Sequence, residues 1–379
     1  MNPFTPLFGS KPEHFFGRKR EKSLFDEALD NEYSPNRVLF LTGNRGCGKT
    51  SLLEQLSSIA ARSRWKTIDV YSAHASLAII DQLEGGTERQ ETRTVAPEVL
   101  GFSAGSSAVA TSRKLEGFSL PRILVERCST LVTHKGLFIT VDEVQKLPAE
   151  DAENLCAATQ MAARKGLPLI LAMAGLPGAK EKIASYRGCT FMQRVQDIHL
   201  GSLTIDETVE AFKNMLPLAG TTNADANTIW ALADFSKGYP YLMQLIGYYS
   251  VESAREIALA HEPVVSIDAI EAAKPMALET YWTNVLDPIT SRLGKGTIAY
   301  LEAMSNAMGQ NGRAETGKVA RLLGKSVQEC SSYRERLIKR RLVAPDGHGF
   351  MRFNLPHMKA YFQQPILSSA LEHENTWQY

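Results

Sequence analysis

Cysteine is sparse and unpaired in this chain of 379 residues: five thiols stand at 47, 128, 156, 189 and 330, an odd count with no C-x-x-C pair. That pattern excludes a disulfide framework and a thiolate zinc site, and it points to free thiols in a reducing cytoplasm. Long apolar runs are missing as well. The most apolar stretch, Leu167 to Leu176, is too short to span a bilayer, and the N-terminus carries no apolar signal core. A cytoplasmic protein without a membrane partner is therefore expected. Neither sign of charge is in excess, because 42 Lys and Arg face 41 Asp and Glu for a formal net charge of +1. No global field announces nucleic acid or membrane, so any basic site must be local. What remains is an ordinary globular composition, 44% hydrophobic and 22% charged, in a length that predicts two or three domains.

Against that background one stretch stands out. Gly43-Asn44-Arg45-Gly46-Cys47-Gly48-Lys49-Thr50-Ser51 follows the apolar run Val38 to Leu41 and precedes a helical pattern from Leu52. It fits the phosphate-loop signature in the strand-loop-helix setting that signature requires. Glycines at 43, 46 and 48 allow turns in which successive N–H groups converge on an anion, and the first turn of the next helix adds unpaired donors. Lys49 is expected on the outer phosphates of a nucleotide, and the Thr50 hydroxyl is placed to ligate Mg²⁺. Cys47, inside the loop, is expected to have a lowered thiol pKa and to be the most readily alkylated of the five.

Nearly one hundred residues later Leu137 to Val141 reads as an apolar strand ending in Asp142-Glu143. Beside a phosphate loop this pair has a use: Asp142 reaches the Mg²⁺ shell and Glu143 orients or deprotonates the attacking water. The strand is expected to lie next to the first. Other strands are read at 66–70 and 169–174, with helices over 122–135 and 149–164. Strand and helix alternate over 36–200, which argues an α/β parallel sheet with its ligand at the carboxyl ends of the strands.

The segments divide as follows. Residues 1–203 form the nucleotide-binding core, with an N-terminal arm at 1–13 and an inserted hairpin or mobile loop at 84–120. Residues 204–290 are helical, opening on the capping box Thr204 and Glu207. At 291–365, three helices and a hairpin around Asp346-Gly347-His348-Gly349 predict a winged helix-turn-helix, with a tail at 366–379. Between Arg313 and Arg352 ten Lys or Arg stand against four acids, a local excess in a nearly neutral chain. Duplex DNA is the expected partner, contacted by Lys325, Ser331, Ser332, Tyr333, Arg334, Lys339, Arg340 and Arg352. The competing reading is a basic face used for protein contact.

Phe16-Gly17-Arg18, Gly43 to Ser51, Val141-Asp142-Glu143, the helical segment and the terminal module together resemble AAA+ ATPases of the origin-recognition-like and STAND-related branches. The likeness runs from Asn2 to about Phe362. It implies an αβα core with a helical lid and C-terminal winged helix, ATP and Mg²⁺ as ligands, and Lys49 and Glu143 in catalysis. It also implies Phe16 and Gly17 near adenine, and Arg194 as an arginine finger in an ATP-dependent homo-oligomer. Two departures stand out. The end of the fourth strand is Ala174-Gly175 where many relatives place a polar sensor, and the lid helix after Gly238-Tyr239 lacks a sensing arginine. Both imply slow hydrolysis. The expected function is an ATP-dependent switch acting on DNA, with a signalling ATPase whose terminal module contacts protein as the alternative.

Overall fold

The computed structural model describes residues 2–7, 14–71, 74–83, 119–221, 224–258 and 262–364. The expected hairpin or loop at 84–120, apart from its last two residues, lies outside the described residues, as do the tail 366–379 and residues 8–13 of the arm.

The first half alternates helix and strand in chain order: α1 (Lys19–Asp30), β1 (Val38–Thr42), α2 (Lys49–Arg62), β2 (Lys66–Val70), α3 (Ala75–Leu83), α4 (Leu120–Ser129), β3 (Leu137–Val141), α5 (Ala149–Arg164), β4 (Leu169–Gly175), α6 (Ala179–Ala184) and β5 (Gln196–His199). The strands form one parallel sheet in the order β2-β3-β4-β1-β5. Every residue of β3 and β4 is buried, as strands covered on both faces require. Strand periodicity sorts the side chains of β1. Leu39 and Leu41 join Phe25 of α1 and Leu52, Leu53 and Leu56 of α2, while Phe40 turns to the opposite layer with Ile79, Leu124 and Leu155.

This order corrects one expectation. β3 does not lie next to β1, because β4 runs between them and Leu171 pairs with Val38 on one side and Ile139 on the other. Apolar strands of equal length give no local signal of which one takes the centre. Helix α4 is also shorter than expected and stops at Ser129, not at 135. The Ser129 and Thr130 hydroxyls donate back to Val125 O and Glu126 O in its last turn, the competition by which these residues end helices.

A run of helical pieces follows. They are α7 (Ile205–Met215), a 3-10 turn (Leu216–Ala219), α8 (Ala226–Ser236), α9 (Pro240–Ala258), α10 (Ile267–Tyr281), a π-helical turn (Trp282–Leu286) and α11 (Asp287–Thr290). Their starts are legible: Thr204 forms the full capping box with Glu207, and Asp225 and Ser266 cap the N-termini of α8 and α10. The N-terminal arm lies on this layer. Phe4 sits over Gly247, where a Cβ would come within 2.3 Å of its ring, and Thr5 N–H donates to Gln244 Oε1 (2.8 Å).

The terminal segment runs α12 (Lys295–Ala307), β6 (Ala314–Glu315), α13 (Thr316–Leu322), α14 (Ser331–Lys339), β7 (Val343–Pro345), β8 (Phe350–Phe353) and α15 (Met358–Phe362), with a small antiparallel sheet in the order β6-β8-β7. The three helices and the hairpin are those expected, and β6 is an addition. The third helix starts at Ser331, later than Ser326. Ser326 and Glu329 instead cap a separate turn before it. The segment is docked on the preceding helices: His357 Nε2 meets Phe235 O at 2.8 Å, and Tyr361 OH donates to Asp287 Oδ1 at 2.6 Å. Among the described residues no helix is long and apolar enough to cross a membrane.

Candidate nucleotide site

The loop between β1 and α2 takes the shape its glycines permit. Gly46 (φ 77°) and Gly48 (φ 87°) are left-handed, and an added Cβ at Gly46 would lie 2.8 Å from Tyr241 Cβ. Gly48 is the residue before α2 and offers no capping side chain, so the first-turn N–H groups stay available to a ligand. Arg45 to Ser51 line one end of a cavity of about 410 Å³. Its other wall is apolar and includes Phe16, Leu203, Phe212 and Met215. A polar cradle facing an apolar slot matches the general make-up of small-molecule sites.

Lys49 is not the surface charge the motif alone suggests. It is buried, and its Nζ donates to Gly43 O (3.0 Å) and Asn44 O (3.1 Å), which holds the loop closed on itself. The Thr50 hydroxyl donates to Asp142 Oδ2 at 2.5 Å, joining the loop to the end of β3 across 92 residues despite the intervening β4. Asp142 is buried and its Oδ1 accepts from the Glu143 N–H (2.7 Å). Glu143 is half-buried and left-handed (φ 52°), an uncommon conformation for a residue with a side chain. Its Oε2 accepts from Gln145 Nε2 (2.8 Å) and faces Lys146 Nζ at 3.4 Å.

Three residues named above lie behind the cavity and do not line it. Gly17 turns the chain (φ 74°) against Leu203 and Glu207, and so delivers Phe16 on one side and Arg18 on the other. Gly43 sits under the loop. Asn44 points away, and its Nδ2 donates to Arg341 O (3.2 Å) of the terminal segment. The Arg341 guanidinium is 3.7 Å from Asp197, whose other oxygen accepts from Thr42 at the end of β1 (2.6 Å).

Cys47 is a correction. Its side chain is 1% exposed, packed so close to Gly43 that a Cβ there would come within 2.4 Å of Sγ. Burial pushes the thiol up, and the nearby Lys49 and Arg18 charges only partly oppose it. All five cysteines are buried. Alkylation of the native protein is therefore expected to be slow at every one, and peptide mapping after brief iodoacetamide treatment should show no early label at Cys47.

Residues far apart in sequence complete the site. Arg18, 7% exposed, donates from Nη2 to Cys47 O (3.0 Å) and Gly201 O (2.5 Å), tying the loop to the start of the helical layer. At the head of α9, the Tyr239 hydroxyl donates to Arg45 O and the Tyr241 N–H to Gly46 O (3.1 Å). Burial raises the Tyr239 pKa well above its ordinary value, so the phenol remains a donor. Arg18 stands within the Phe16-Gly17-Arg18 run that the sequence singles out. The tyrosines give no sequence signal, because their role depends on a contact nearly two hundred residues long.

Arg194 is exposed at the end of a 3-10 turn (Thr190–Arg194) anchored by buried Met192. On the terminal segment Lys325, Ser332, Lys339, Arg340 and Arg352 are exposed. Ser331 and Arg334 are half-buried, and the Ser331 hydroxyl is spent on Gln328 O. Tyr333 turns inward onto Tyr300, with ring centroids 6.2 Å apart, and lies beneath Lys325 and Arg336. It is a packing residue and not a free base-edge contact.

A glycine-rich cradle at the end of a parallel sheet, bonded to an Asp-Glu pair on a second strand, defines a phosphate-loop nucleotide-binding protein. Residues 14–171 match the family model of the AAA ATPase domain, and residues 283–362 match a domain of unknown function (DUF8462). Among curated proteins none matches the sequence. The fold is similar to that of the Aeropyrum pernix ORC2 protein in its ADPNP-ADP complexes, with TM-score 0.62 and 14% identity over 97% of this chain and 98% of that one. The ADP form of the same protein gives TM-score 0.52 at 14% identity, covering 98% of each chain. Residues 14–171 are thus an AAA ATPase domain, and the chain as a whole shares the fold of that solved origin-recognition protein.

Proposed function

We propose that the protein is an ATP-dependent switch: ATP·Mg²⁺ binds the Gly43–Ser51 cradle, is hydrolysed slowly, and governs engagement of duplex DNA by the terminal segment, read as a winged helix. The observation that carries the site is the Thr50–Asp142 hydrogen bond, since it pairs a hydroxyl and a carboxylate as Mg²⁺ requires. Among the described residues no three His, Cys, Asp or Glu side chains form a metal cage. Thr50 and Asp142 would therefore hold the ion jointly with substrate phosphate, where it neutralises charge developing on the phosphoryl oxygens. Phe16, Leu203, Phe212 and Met215 offer the apolar wall for the adenine ring. Lys49, already facing the cavity, exchanges its loop carbonyls for phosphate. In the hydrolytic step the water oxygen bonds the γ-phosphorus as the bond to ADP breaks, and the water proton passes to Glu143. With Ala174-Gly175 ending β4 and no sensing arginine at the start of α9, the step lacks two usual polar contacts and is slow.

Engagement of DNA rests on the exposed basic residues of α14 and the hairpin, flanked by Lys325. Lys339→Ala and Arg352→Ala should each weaken duplex binding and reduce the salt slope of log K by about 1, measured by anisotropy titration across ionic strengths. The docking of Arg341 and His357 on the rest of the chain favours the second reading, in which the terminal module contacts protein, its own core included. Undiminished binding to duplex in both variants, or no binding by wild type, would select that reading.

Arg194 is free to meet a neighbouring subunit. ATP, and not ADP, should promote self-association, and Arg194→Ala should block it while costing nucleotide affinity no more than about 1 kcal/mol. Sedimentation velocity with each nucleotide reads this directly, and a monomer under all conditions removes the role.

A further inference from the structure

The end of β4 offers no polar side chain of its own, since Ala174 and Gly175 stand there. The place is nevertheless filled by one. Gln145, on the tight turn Val144–Lys146 after β3, reaches across: its Oε1 accepts from the N–H of Leu176 (3.1 Å), the first residue beyond β4. Gly175 makes the room, for a Cβ there would lie 2.9 Å from Val144 Cγ2 and 3.1 Å from Gln145 Oε1. The Leu176 donor also decides which end of the amide faces the site. An amide turned round would set its NH₂ group against that N–H, so the NH₂ group is directed to Glu143, where Nε2 donates to Oε2 at 2.8 Å. Lys146 approaches the same oxygen at 3.4 Å. Glu143 Oε1 is left with no protein partner among the described residues.

We propose that Gln145 is the positioning residue of the hydrolytic site, supplying from the turn after β3 the polar link that the end of β4 lacks. It holds the Glu143 carboxylate by one oxygen and leaves the other free to take the proton of the attacking water. This rests on the reading of Glu143 as the base. The Gln145 amide is the hydrogen-bond donor that restrains the Glu143 carboxylate, with Lys146 Nζ a longer ionic contact to the same oxygen. Gln145 touches neither the phosphate loop nor the Thr50–Asp142 pair in any bond described above. Its loss should therefore leave nucleotide binding alone.

The test compares full-length wild type with Gln145→Ala, Gln145→Glu and Glu143→Gln for ATP turnover and, separately, for ADP affinity by calorimetry. Gln145→Ala should lower kcat about tenfold or more with KM and ADP affinity unchanged, the signature of an interaction that matters only in the reaction. Gln145→Glu keeps the acceptor for the Leu176 N–H but loses the donor and sets a second carboxylate beside Glu143. It should be no better than Gln145→Ala. Wild-type or faster turnover in Gln145→Ala overturns the proposal. Full turnover in Gln145→Glu does the same, because the side chain would then serve only as a brace for Leu176. A dead Glu143→Gln with either of those results leaves the base in place and removes Gln145 alone, whereas an active Glu143→Gln fails the underlying reading as well.

Discussion

Lys49→Ala should abolish the thermal stabilisation that ATP·Mg²⁺ gives the wild-type protein. A ligand held at one hundred times its Kd stabilises the folded state by about 2.7 kcal/mol, and that increment should vanish in the variant. The buried position of Lys49 adds a smaller consequence. Its ammonium donates to Gly43 O and Asn44 O, and losing these bonds should lower the stability of the apo protein. The variant is therefore expected to melt slightly lower without nucleotide and not to respond to it. Differential scanning fluorimetry with and without ATP·Mg²⁺ separates the two effects, and an undiminished shift would remove Lys49 from the site.

Glu143→Gln should keep nucleotide binding and lose roughly 10²- to 10⁴-fold in turnover, the usual contribution of a positioned general base. The variant is conservative in structure for a specific reason. Among the described residues the Glu143 carboxylate is bonded through Oε2, as an acceptor from Gln145 Nε2 and beside Lys146 Nζ, and the substituted amide retains an oxygen that can accept the same bond. What it loses is the ability to take a proton. Single-turnover measurements of phosphate release, beside the stabilisation assay, check both halves. Wild-type turnover would show that another group activates the water.

Local features were legible in the chain wherever the chemistry is local. The Gly43–Ser51 loop, the Thr204–Glu207 capping box, the start of α9 at Pro240 and the hairpin turn at Gly347 and Gly349 all depend on residues within a few positions of one another. The ends of β3 and β4 were legible too, since buried parallel strands are apolar throughout. What the sequence withheld depends on contacts between distant segments. The central place of β4, the bond from Tyr239 to Arg45, and the reach of Gln145 to Leu176 are settled by packing that no window of sequence contains. Cys47 shows the same limit from the other side. A helix N-terminus and a lysine argue for a reactive thiolate, but the left-handed turn at Gly46 and Gly48 faces the thiol into the core, where desolvation dominates.

Asn44 joins the two halves, its amide on the loop donating to the Arg341 carbonyl in the terminal segment, with Asp197 bridging Arg341 to Thr42. In the proposed switch, this contact would carry a nucleotide-dependent shift of the loop to the end of α14 and the start of the hairpin. Such a ligand can move that equilibrium only by its differential affinity for the two arrangements. The most direct measurement is the affinity of the full-length protein for a labelled duplex at one fixed salt concentration, taken with a non-hydrolysable ATP analogue, with ADP and with no nucleotide. A switch predicts that the analogue and ADP give affinities at least about fivefold apart, the lower end of common allosteric couplings. Equal affinities in all three states would contradict it.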